Sequence, residues 1–402
     1  MKIPFSPPYI NQEIIDEVTD SLKSGWITTG PKVKALEGEV ELLTGASRAL
    51  CVNSATSGLM LSLKWYGINK GDEVIIPAYT YAATALAVLN IGATPVMVDV
   101  GDDFNISVGE IEKAITKKTK AIIPVDIAGW PCDYDAIYKV VNYKQKLFQA
   151  ESINQEKLNR ILILSDAAHS IGAIYKGKSS GAICDLSVFS FHAVKNITTA
   201  EGGVICVNLP KPFSNEEVYA YMRCFSLNGQ TKDAFTKSKF GGWRYDIIHQ
   251  GMKVNMPDVL AAIGLAQIKI YDSELLKSRE RIFHFYNDAL KVKKWAIIPP
   301  YESENAKSSF HLYALRLKNC SEDMRDRIID RISDRGVAVN VHFQPLPKLT
   351  LFKDLGYDNS KYPQANKSYE CEISLPIYPQ LTSDQLNYIL EVVIKSVEEV
   401  VC

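Results

Sequence analysis

The stretch "SVFSFHAVKNITTAEGG", residues 187–203, opens as an apolar strand and then meets His192 and Lys195 before a pair of glycines. A strand of this kind is buried on both faces of a sheet, so the residues that follow it lie at the carboxyl edge of that sheet. A buried lysine is costly, because the loss of water penalises its charged form. The placement of Lys195 therefore raises the question of what its amine does, although a loop lysine taken alone is ordinarily solvated.

Apolar runs alternate with helical stretches through the first two thirds of the chain. The runs "EVIIP", "TPVMVDV", "KAIIPVDIAG", "RILILSDAAHS" and "LSVFSFH" are continuously hydrophobic and do not alternate with polar residues. Such strands are typical of a largely parallel sheet that is covered on both faces. Residues typical of helix termini support the intervening helices: Pro31 begins one of them and Gly45 ends it. The pattern predicts an α/β fold with helices flanking a mostly parallel sheet.

The regular alternation of strands and helices ends where a long helical stretch begins at Pro257. Beyond it come a strand at 309–317, a helix, the strand-like run 337–343 and a C-terminal helix. A chain of 402 residues exceeds the size of one ordinary core. We therefore predict two domains, a large α/β domain over residues 1–270 and a smaller α+β domain over residues 271–402.

Two local patterns predict how helices begin. Ser107 followed by Glu110, and Thr382 followed by Gln385, have the spacing of capping boxes. A third pattern is the segment 226–256, which is rich in Gly, Lys and aromatic residues and is predicted to be a long loop. Loops of that length inside compact domains are usually functional.

Composition excludes several classes of protein. The chain is 47% hydrophobic and 23% charged, and its 45 basic residues nearly balance 46 acidic ones, so we expect a soluble protein with no nucleic-acid or membrane partner. The eight cysteines form no CxxC pair, and no His/Cys cluster has the spacing of metal ligands, so no metal is expected. Without an apolar leader or spanning segment near the N-terminus, we expect a cytoplasmic location.

Four features converge on the carboxyl ends of the strands, where parallel α/β sheets bind ligands. The run "NSATSG", residues 53–58, places small and hydroxyl residues at a helix start, which suits a phosphate, although Ser and Thr begin most helices. Asp166 ends a strand, where a structural ion pair explains a buried carboxylate about as well as a ligand contact does. His169, taken alone, is more often structural. Ser190 and Lys195 end the next strand.

Together these features fit the chemistry of pyridoxal 5′-phosphate (PLP) better than any other cofactor or metal chemistry. The helix start would hold the phosphate, Asp166 would keep the pyridine nitrogen protonated, and Lys195 would form the Schiff base. A protonated ring draws electrons from the reacting carbon, and burial lowers the pKa of a lysine towards neutrality. The residues thus predict that Lys195 is the catalytic nucleophile.

The chain also resembles the DegT/DnrJ/StrS-type sugar aminotransferases along nearly its whole length. Ordered motifs carry the resemblance: "SGWITTGPKVKALE", "CVNSATSGLMLSL", "KGDEVIIPAYTYAATA", "GATPVMVDV", "TKAIIPVDIAGWPCDYDAI", "DAAHSIGA", "SVFSFHAVKNITTAEGGV", "NMPDVLAAIGLAQI", "VNVHFQPL" and "SLPIYPQLT". It implies the fold-type I architecture of aspartate aminotransferase and PLP as cofactor. It also implies transfer of an amino group, with glutamate as donor, to a nucleotide-linked 3- or 4-keto-6-deoxy sugar.

The resemblance implies roles for individual residues around the cofactor ring. Lys195 is implied to be the internal aldimine lysine and the base that moves the proton between substrate carbon and cofactor. Asp166 is implied to pair with the pyridine nitrogen, and His169 to lie near the ring oxygen. Tyr81 matches the aromatic residue that stacks on the ring, where the alternative is an ordinary core aromatic.

Further roles concern the phosphate and the substrate. Thr56, Ser57 and Ser190 are implied to hold the phosphate, and Asn255 to reach the phosphate in the partner subunit, which implies an obligate homodimer. For His342, a structural histidine at a strand end is an equal alternative to a substrate contact. The positions implied to contact the sugar nucleotide are His342, Trp26 and His192.

The sequence departs from the family pattern at several places. Asp126 stands where His is common, and Ala200 replaces the usual Gly before "EGG". The linker at 142–159 is longer than usual, and the loop at 226–256 is extended. Two alternative functions stay open: a PLP-dependent keto-sugar dehydratase, which Lys195 argues against because such relatives carry His there, and a non-catalytic protein that binds or senses PLP.

Overall fold

A computed structural model of the chain describes residues 1–233, 237 and 243–401. Its strands are β1 Arg48–Val52, β2 Glu73–Pro77, β3 Thr94–Val98, β4 Thr119–Ile122, β5 Leu162–Asp166, β6 Ile174–Tyr175, β7 Lys178–Ser179, β8 Leu186–Ser190, β9 Gly203–Val207, β10 Ala296–Ile297, β11 Ala306–Lys307, β12 Tyr313–Leu317 and β13 Glu372–Leu375. Seven of them form the central sheet, in the order β1-β9-β8-β5-β4-β2-β3.

The central sheet is mostly parallel, as the sequence predicts. Strands β8, β5, β4, β2 and β3 pair in parallel, whereas β9 runs antiparallel to both β8 and β1. A parallel neighbour requires a long crossover, usually through a helix, and residues 191–202 between β8 and β9 contain no helix. The chain therefore turns back on itself directly after β8, and this turn carries Lys195.

Helices cover both faces of the sheet. The α-helices of the described chain as a whole are α1 Gln12–Lys23, α2 Pro31–Thr44, α3 Ala55–Trp65, α4 Ala82–Asn90, α5 Val108–Ala114, α6 Tyr134–Tyr143, α7 Ile153–Leu158, α8 Asn215–Ser226, α9 Asp258–Lys269, α10 Leu276–Leu290, α11 Glu322–Asp334, α12 Thr350–Asp354, α13 Pro363–Cys371 and α14 Ser383–Val401, the last five of which belong to the C-terminal part of the chain. In β2, Val74 and Ile76 join one hydrophobic cluster while Ile75 joins another on the opposite face. This double burial explains why the strands are continuously hydrophobic.

The C-terminal part of the chain has a sheet and a core of its own. Strands β10, β12 and β13 form a three-stranded antiparallel sheet. Its cluster consists of residues between Ile282 and Val397, joined by Ile3 from the N-terminal segment. The division into residues 1–270 and 271–402 stays a prediction. At that point the chain passes from α9 through a π-helical turn, Tyr271–Leu275, into α10.

Two local predictions meet different outcomes. The capping box at Thr382 is confirmed, since its backbone N–H donates to the Gln385 side chain and its hydroxyl accepts from the Gln385 N–H. The box at Ser107 is wrong, because that serine precedes α5 without a side-chain capping bond. The run 337–343 is also not a strand. It makes only isolated bridges at Val337 and Asn340.

The segment 226–256 is described only in part. Its flanks pair through isolated bridges, Leu227 with Lys253 and Gln230 with Ile247. Residues 234–236 and 238–242 of this predicted loop lie outside the described residues. Within the described part of the chain, no helix is long and apolar enough to cross a bilayer.

Candidate active site

A cavity of about 450 Å³ lies at the carboxyl ends of the parallel strands. Its floor includes Asp166 from the end of β5 and Ser190 from the end of β8, and its lining continues into the start of α3. Residues from the distant segments at 311–312 and 342–343 complete its wall. This is the edge of the sheet at which open α/β folds bind ligands.

Lys195 lies in the cavity on the turn that follows β8. The turn is closed by a hydrogen bond from the Lys195 N–H to the carbonyl of His192, at 2.9 Å. Burial lowers the pKa of Lys195 to about 8, and the nearby charge of Asp166 opposes that shift only in part. The uncharged amine is therefore accessible near neutral pH, which is the state that a nucleophile or a general base needs.

Asp166 is a buried carboxylate whose hydrogen bonds leave it open to the cavity. Its Oδ2 accepts from the Thr84 hydroxyl at 2.8 Å, and its Oδ1 accepts a longer bond from the Ala168 N–H at 3.3 Å. Burial raises the pKa of Asp166, and the bond from Thr84 partly offsets this effect. A buried carboxylate is stable when a cation pairs with it, so the cavity suits a ligand with a positively charged group.

His169 is buried beside Asp166 and presents a hydrogen-bond donor. Its Nδ1 accepts from the Ala128 N–H at 3.2 Å, so in the neutral ring the proton resides on Nε2. Burial lowers the pKa of His169 well below its usual range, and the charge of Lys195 adds to this effect. The ring therefore stays neutral and can donate to an oxygen in the cavity.

The start of α3 supplies an anion-binding edge. Ser54 caps the helix by accepting from the Ser57 N–H at 3.1 Å, and Thr56 lines the cavity beside it. Gly203 allows this close approach, because a Cβ there would lie 2.6 Å from the Ala55 nitrogen. The free N–H groups at a helix N-terminus favour negative charge. With Ser190 opposite, the site fits a phosphate.

The family of the chain follows from comparison with known proteins. A model of the DegT/DnrJ/EryC1/StrS aminotransferase family matches residues 8–394. The chain belongs to this family. It is accordingly a PLP-dependent aminotransferase, which confirms the predicted family, enzyme class and cofactor.

Solved structures and curated relatives of the family resemble the whole chain. Spr1654 of Streptococcus pneumoniae, assigned as a sugar aminotransferase, is 45% identical in its PMP form, with a TM-score of 0.96 over 99% of this chain and 100% of that one. SpsC of Bacillus subtilis, a spore coat polysaccharide biosynthesis protein, is 35% identical over 97% of this chain and 96% of its own length. PseC of Helicobacter pylori is 28% identical, with a TM-score of 0.87 over 99% and 100% of the two chains. These similarities confirm the predicted fold.

The cavity brings together most of the residues that the sequence singles out. The predicted site residues that line it are Thr56, Tyr81, Asp166, His169, Ser190, His192, Lys195 and His342. Three others lie outside this lining. Ser57 faces the Ser54 hydroxyl at 3.0 Å, Trp26 donates to the Thr29 carbonyl at 3.2 Å, and Asn255 donates to the Thr29 hydroxyl at 2.6 Å.

Sequence analysis missed two residues at the site. His311 lines the cavity with its ring centroid 4.4 Å from that of His169, and Asn196 holds its Nδ1 at 2.9 Å. Thr84 is the donor that orients Asp166. Neither residue belongs to a local pattern, since both act across the sheet, and only the fold shows these contacts.

Two of the departures from the family pattern, Asp126 and Ala200, have different structural settings. Asp126 is fully buried below the cavity, where it accepts from the Cys132 N–H and from the hydroxyls of Tyr134 and Ser170. Ala200 adopts φ 66°, a left-handed conformation that favours glycine. The usual glycine at this family position is thus explained by the backbone, and alanine there carries strain of about 1 kcal/mol.

Proposed function

We propose that the protein transfers an amino group from glutamate to the keto group of a nucleotide-linked 3- or 4-keto-6-deoxy sugar, in the cytoplasm. The observation that carries this proposal is the meeting of Lys195, Asp166 and His169 in one cavity whose wall includes His342 from the C-terminal part of the chain. Two relatives support the sugar: SpsC by its name in polysaccharide biosynthesis, and PseC as an aminotransferase of pseudoaminic acid biosynthesis.

The residues of the cavity suit PLP in their types and positions. The start of α3 with Thr56 and Ser190 would hold the phosphate, and Asp166 would pair with the protonated ring nitrogen. His169 would donate from Nε2 to the ring oxygen, and Tyr81, which is 65% exposed at the rim, would cover the ring. When bound, PLP supplies a reactive carbonyl and a ring that spreads the electrons left by proton removal.

Lys195 would serve both as the attachment point and as the base. Its amine loses a proton readily because burial lowers its pKa to about 8. A base with that pKa takes a proton from the substrate carbon and returns it at the neighbouring position without strong bias in either direction. The same residue argues against the dehydratase alternative, in which His stands at this position.

We further propose that the enzyme is a homodimer with shared sites. Asn255 lies outside the cavity of its own chain, and large apolar side chains of the chain are exposed, among them Ile27 at 54% and Trp243 at 69%. Mixing Lys195→Ala with Asn255→Ala subunits tests the sharing. If each variant alone is inactive, hybrid dimers should regain activity at one site, whereas a monomer or unshared sites would regain none.

The first test is the absorption spectrum of the PLP-loaded protein before and after addition of glutamate. We expect a yellow band that bleaches with glutamate and returns when a nucleotide-linked keto sugar accepts the amine. Lys195→Ala should fold with the wild-type circular dichroism and lose turnover by on the order of 10³-fold or more. A protein that is indifferent to glutamate, or a lysine variant of wild-type rate, would overturn the proposal.

A further inference from the structure

A chain of hydrogen bonds links the cavity wall to a buried carboxylate in the C-terminal sheet. His342 Nδ1 lies 2.9 Å from the Ser374 hydroxyl, which in turn donates to Glu372 Oε1 at 2.5 Å. Glu372 Oε2 also accepts from the backbone N–H of His342 at 2.8 Å. Glu372 and Ser374 are both fully buried. The carboxylate therefore holds His342 at its backbone and, through Ser374, at its ring.

The number of hydrogens in this series of hydrogen bonds decides which ring nitrogen of His342 carries the proton. The Ser374 hydroxyl has one hydrogen, and an ionised Glu372 takes it, so the His342 Nδ1 must itself be the donor to Ser374. Burial, with the charge of Lys195 adding to it, lowers the pKa of His342 to about 3, so the ring is neutral. A neutral ring with its proton on Nδ1 has an unprotonated Nε2. If Glu372 were protonated, it would donate to Ser374 and Ser374 would donate to the His342 Nδ1, which would move the ring proton to Nε2.

The surroundings of Glu372 make its charge costly but do not forbid it. Burial raises its pKa to about 8, and the hydrogen bonds from Ser374 and His342 oppose that shift. Arg316 on the neighbouring strand and Arg325 on α11 also favour the carboxylate. The other titratable groups that face it are the weak acids Tyr79 and Cys371. The roles proposed around PLP do not use this buried carboxylate.

We propose that Glu372, when ionised and acting through Ser374, is a positioning residue that makes Nε2 of His342 an unprotonated acceptor for a hydroxyl of the sugar substrate. The sugar part rests on the proposed function. A site that accepts a hydrogen bond from a hydroxyl discriminates against a substrate that lacks it, because the buried acceptor is then left unpaired. His342 would thus favour a sugar that carries a hydroxyl within reach of its Nε2.

Glu372→Gln is designed to move the ring proton of His342 from Nδ1 to Nε2 with little change in the shape of the side chain at position 372. The His342 N–H still needs an acceptor, so the new amide oxygen remains there and the amide NH₂ faces Ser374. Ser374 then receives a hydrogen bond and donates its own hydrogen to Nδ1, which places the ring proton on Nε2. Glu370→Gln, two residues earlier, removes the same charge outside the hydrogen-bond chain and serves as the control. Ser374→Ala breaks the chain and should leave a mixture of the two ring forms.

Two measurements on the PLP-loaded enzyme test the proposal. At about pH 9, above the pKa of Glu372, nitrogen-15 NMR of labelled histidine should show His342 with an unprotonated Nε2 in the wild type and a protonated one in Glu372→Gln. In the wild type the unprotonated form should grow as the pH rises through about 8, the pKa of Glu372, and this pH dependence should vanish in the variant. At the same pH, single-turnover kinetics with UDP- and dTDP-linked 4-keto-6-deoxyhexoses should show an about tenfold weaker apparent affinity in the variant, the worth of one hydrogen bond.

The glutamate half-reaction separates a positioning role from a structural one. It does not involve the sugar, so Glu372→Gln should bleach the cofactor at the wild-type rate, as should Glu370→Gln. An unchanged ring form in Glu372→Gln would overturn the proposal, and so would an inverted ring with unchanged sugar affinity. If the wild type reacts with glutamate but with no nucleotide keto-sugar, the proposed function and the sugar hydroxyl both fail, while the NMR result alone decides the ring assignment.

Discussion

Two buried aspartates lie side by side beneath the cavity and differ in what they face. Asp166 and Asp126 are neighbours, since the Asp126 N–H donates to the Asp166 carbonyl at 3.3 Å. Burial raises the pKa of both carboxyl groups, that of Asp126 to about 6. Asp126 accepts three bonds from the protein interior, whereas Asp166 accepts one good bond and one long one and borders the cavity.

The comparison shows that burial alone does not mark a functional carboxylate. A buried carboxylate whose acceptor sites are filled by the protein stabilises the fold locally, and its removal leaves unpaired donors. A carboxylate that borders a cavity keeps its charge available for a ligand. We therefore expect changes at Asp166 to affect catalysis and changes at Asp126 to affect stability.

The largest effect is expected at Asp166. Asp166→Asn should lower the turnover rate by on the order of 10²–10³-fold, because the neutral amide cannot stabilise positive charge on the cofactor ring. The urea unfolding midpoint should change little, since the amide can still accept from Thr84. Steady-state kinetics and unfolding curves on the same preparation check both parts. A variant that keeps its rate but loses stability would make Asp166 structural, like its neighbour.

Asp126→Ala should lower the stability of the fold and leave the turnover rate nearly unchanged. The substitution leaves the Cys132 N–H and two hydroxyls without their acceptor, so we expect the free energy of unfolding to fall by about 3 kcal/mol. The rate per folded molecule should stay near that of the wild type. Urea titration and active-site titration with PLP measure the two quantities. A large loss of rate in a stably folded variant would contradict the comparison.

The pH dependence of stability tests whether Asp126 is a buried structural carboxylate. Burial raises its pKa to about 6 in the folded state, against about 3.9 in an unfolded chain. The folded state thus binds the proton more tightly, and the resulting stabilisation is present below about pH 4 and is lost as the pH rises through about 6. Relative to Asp126→Asn, the wild type should lose about 3 kcal/mol of unfolding free energy across this range. A constant difference between the two proteins would refute the assignment.

The smallest effect is expected for Thr84→Val. This change removes the 2.8 Å bond to Asp166 while nearly keeping the shape of the side chain. The bond lowers the pKa of Asp166, so its loss should raise that pKa further and weaken the pairing with a cation. We expect a rate loss of no more than about tenfold, the worth of roughly 1 kcal/mol. A loss as large as that of Asp166→Asn would mean that Thr84 contacts the ligand itself.

Particular residues show which features of the fold and the site could be predicted from the sequence. The continuous hydrophobicity of β2, β5 and β8 predicts a parallel sheet, and the polar residues at the ends of the last two predict the cavity. That prediction works because parallel strands all have their carboxyl ends at the same edge of the sheet. The reversal of β9 and the failed capping box at Ser107 were not predictable, because both depend on contacts outside the local pattern.

What the sequence determined by itself is the chemistry at the strand ends: Lys195, Asp166 and a hydroxyl-rich helix start at family spacing. What only the tertiary structure decided is which distant side chains complete that chemistry. His311 and the chain from His342 to Glu372 come from the C-terminal part of the molecule and have no spacing that links them to Lys195. Local patterns record backbone periodicity and turns, whereas such contacts arise only where segments distant in the sequence pack together.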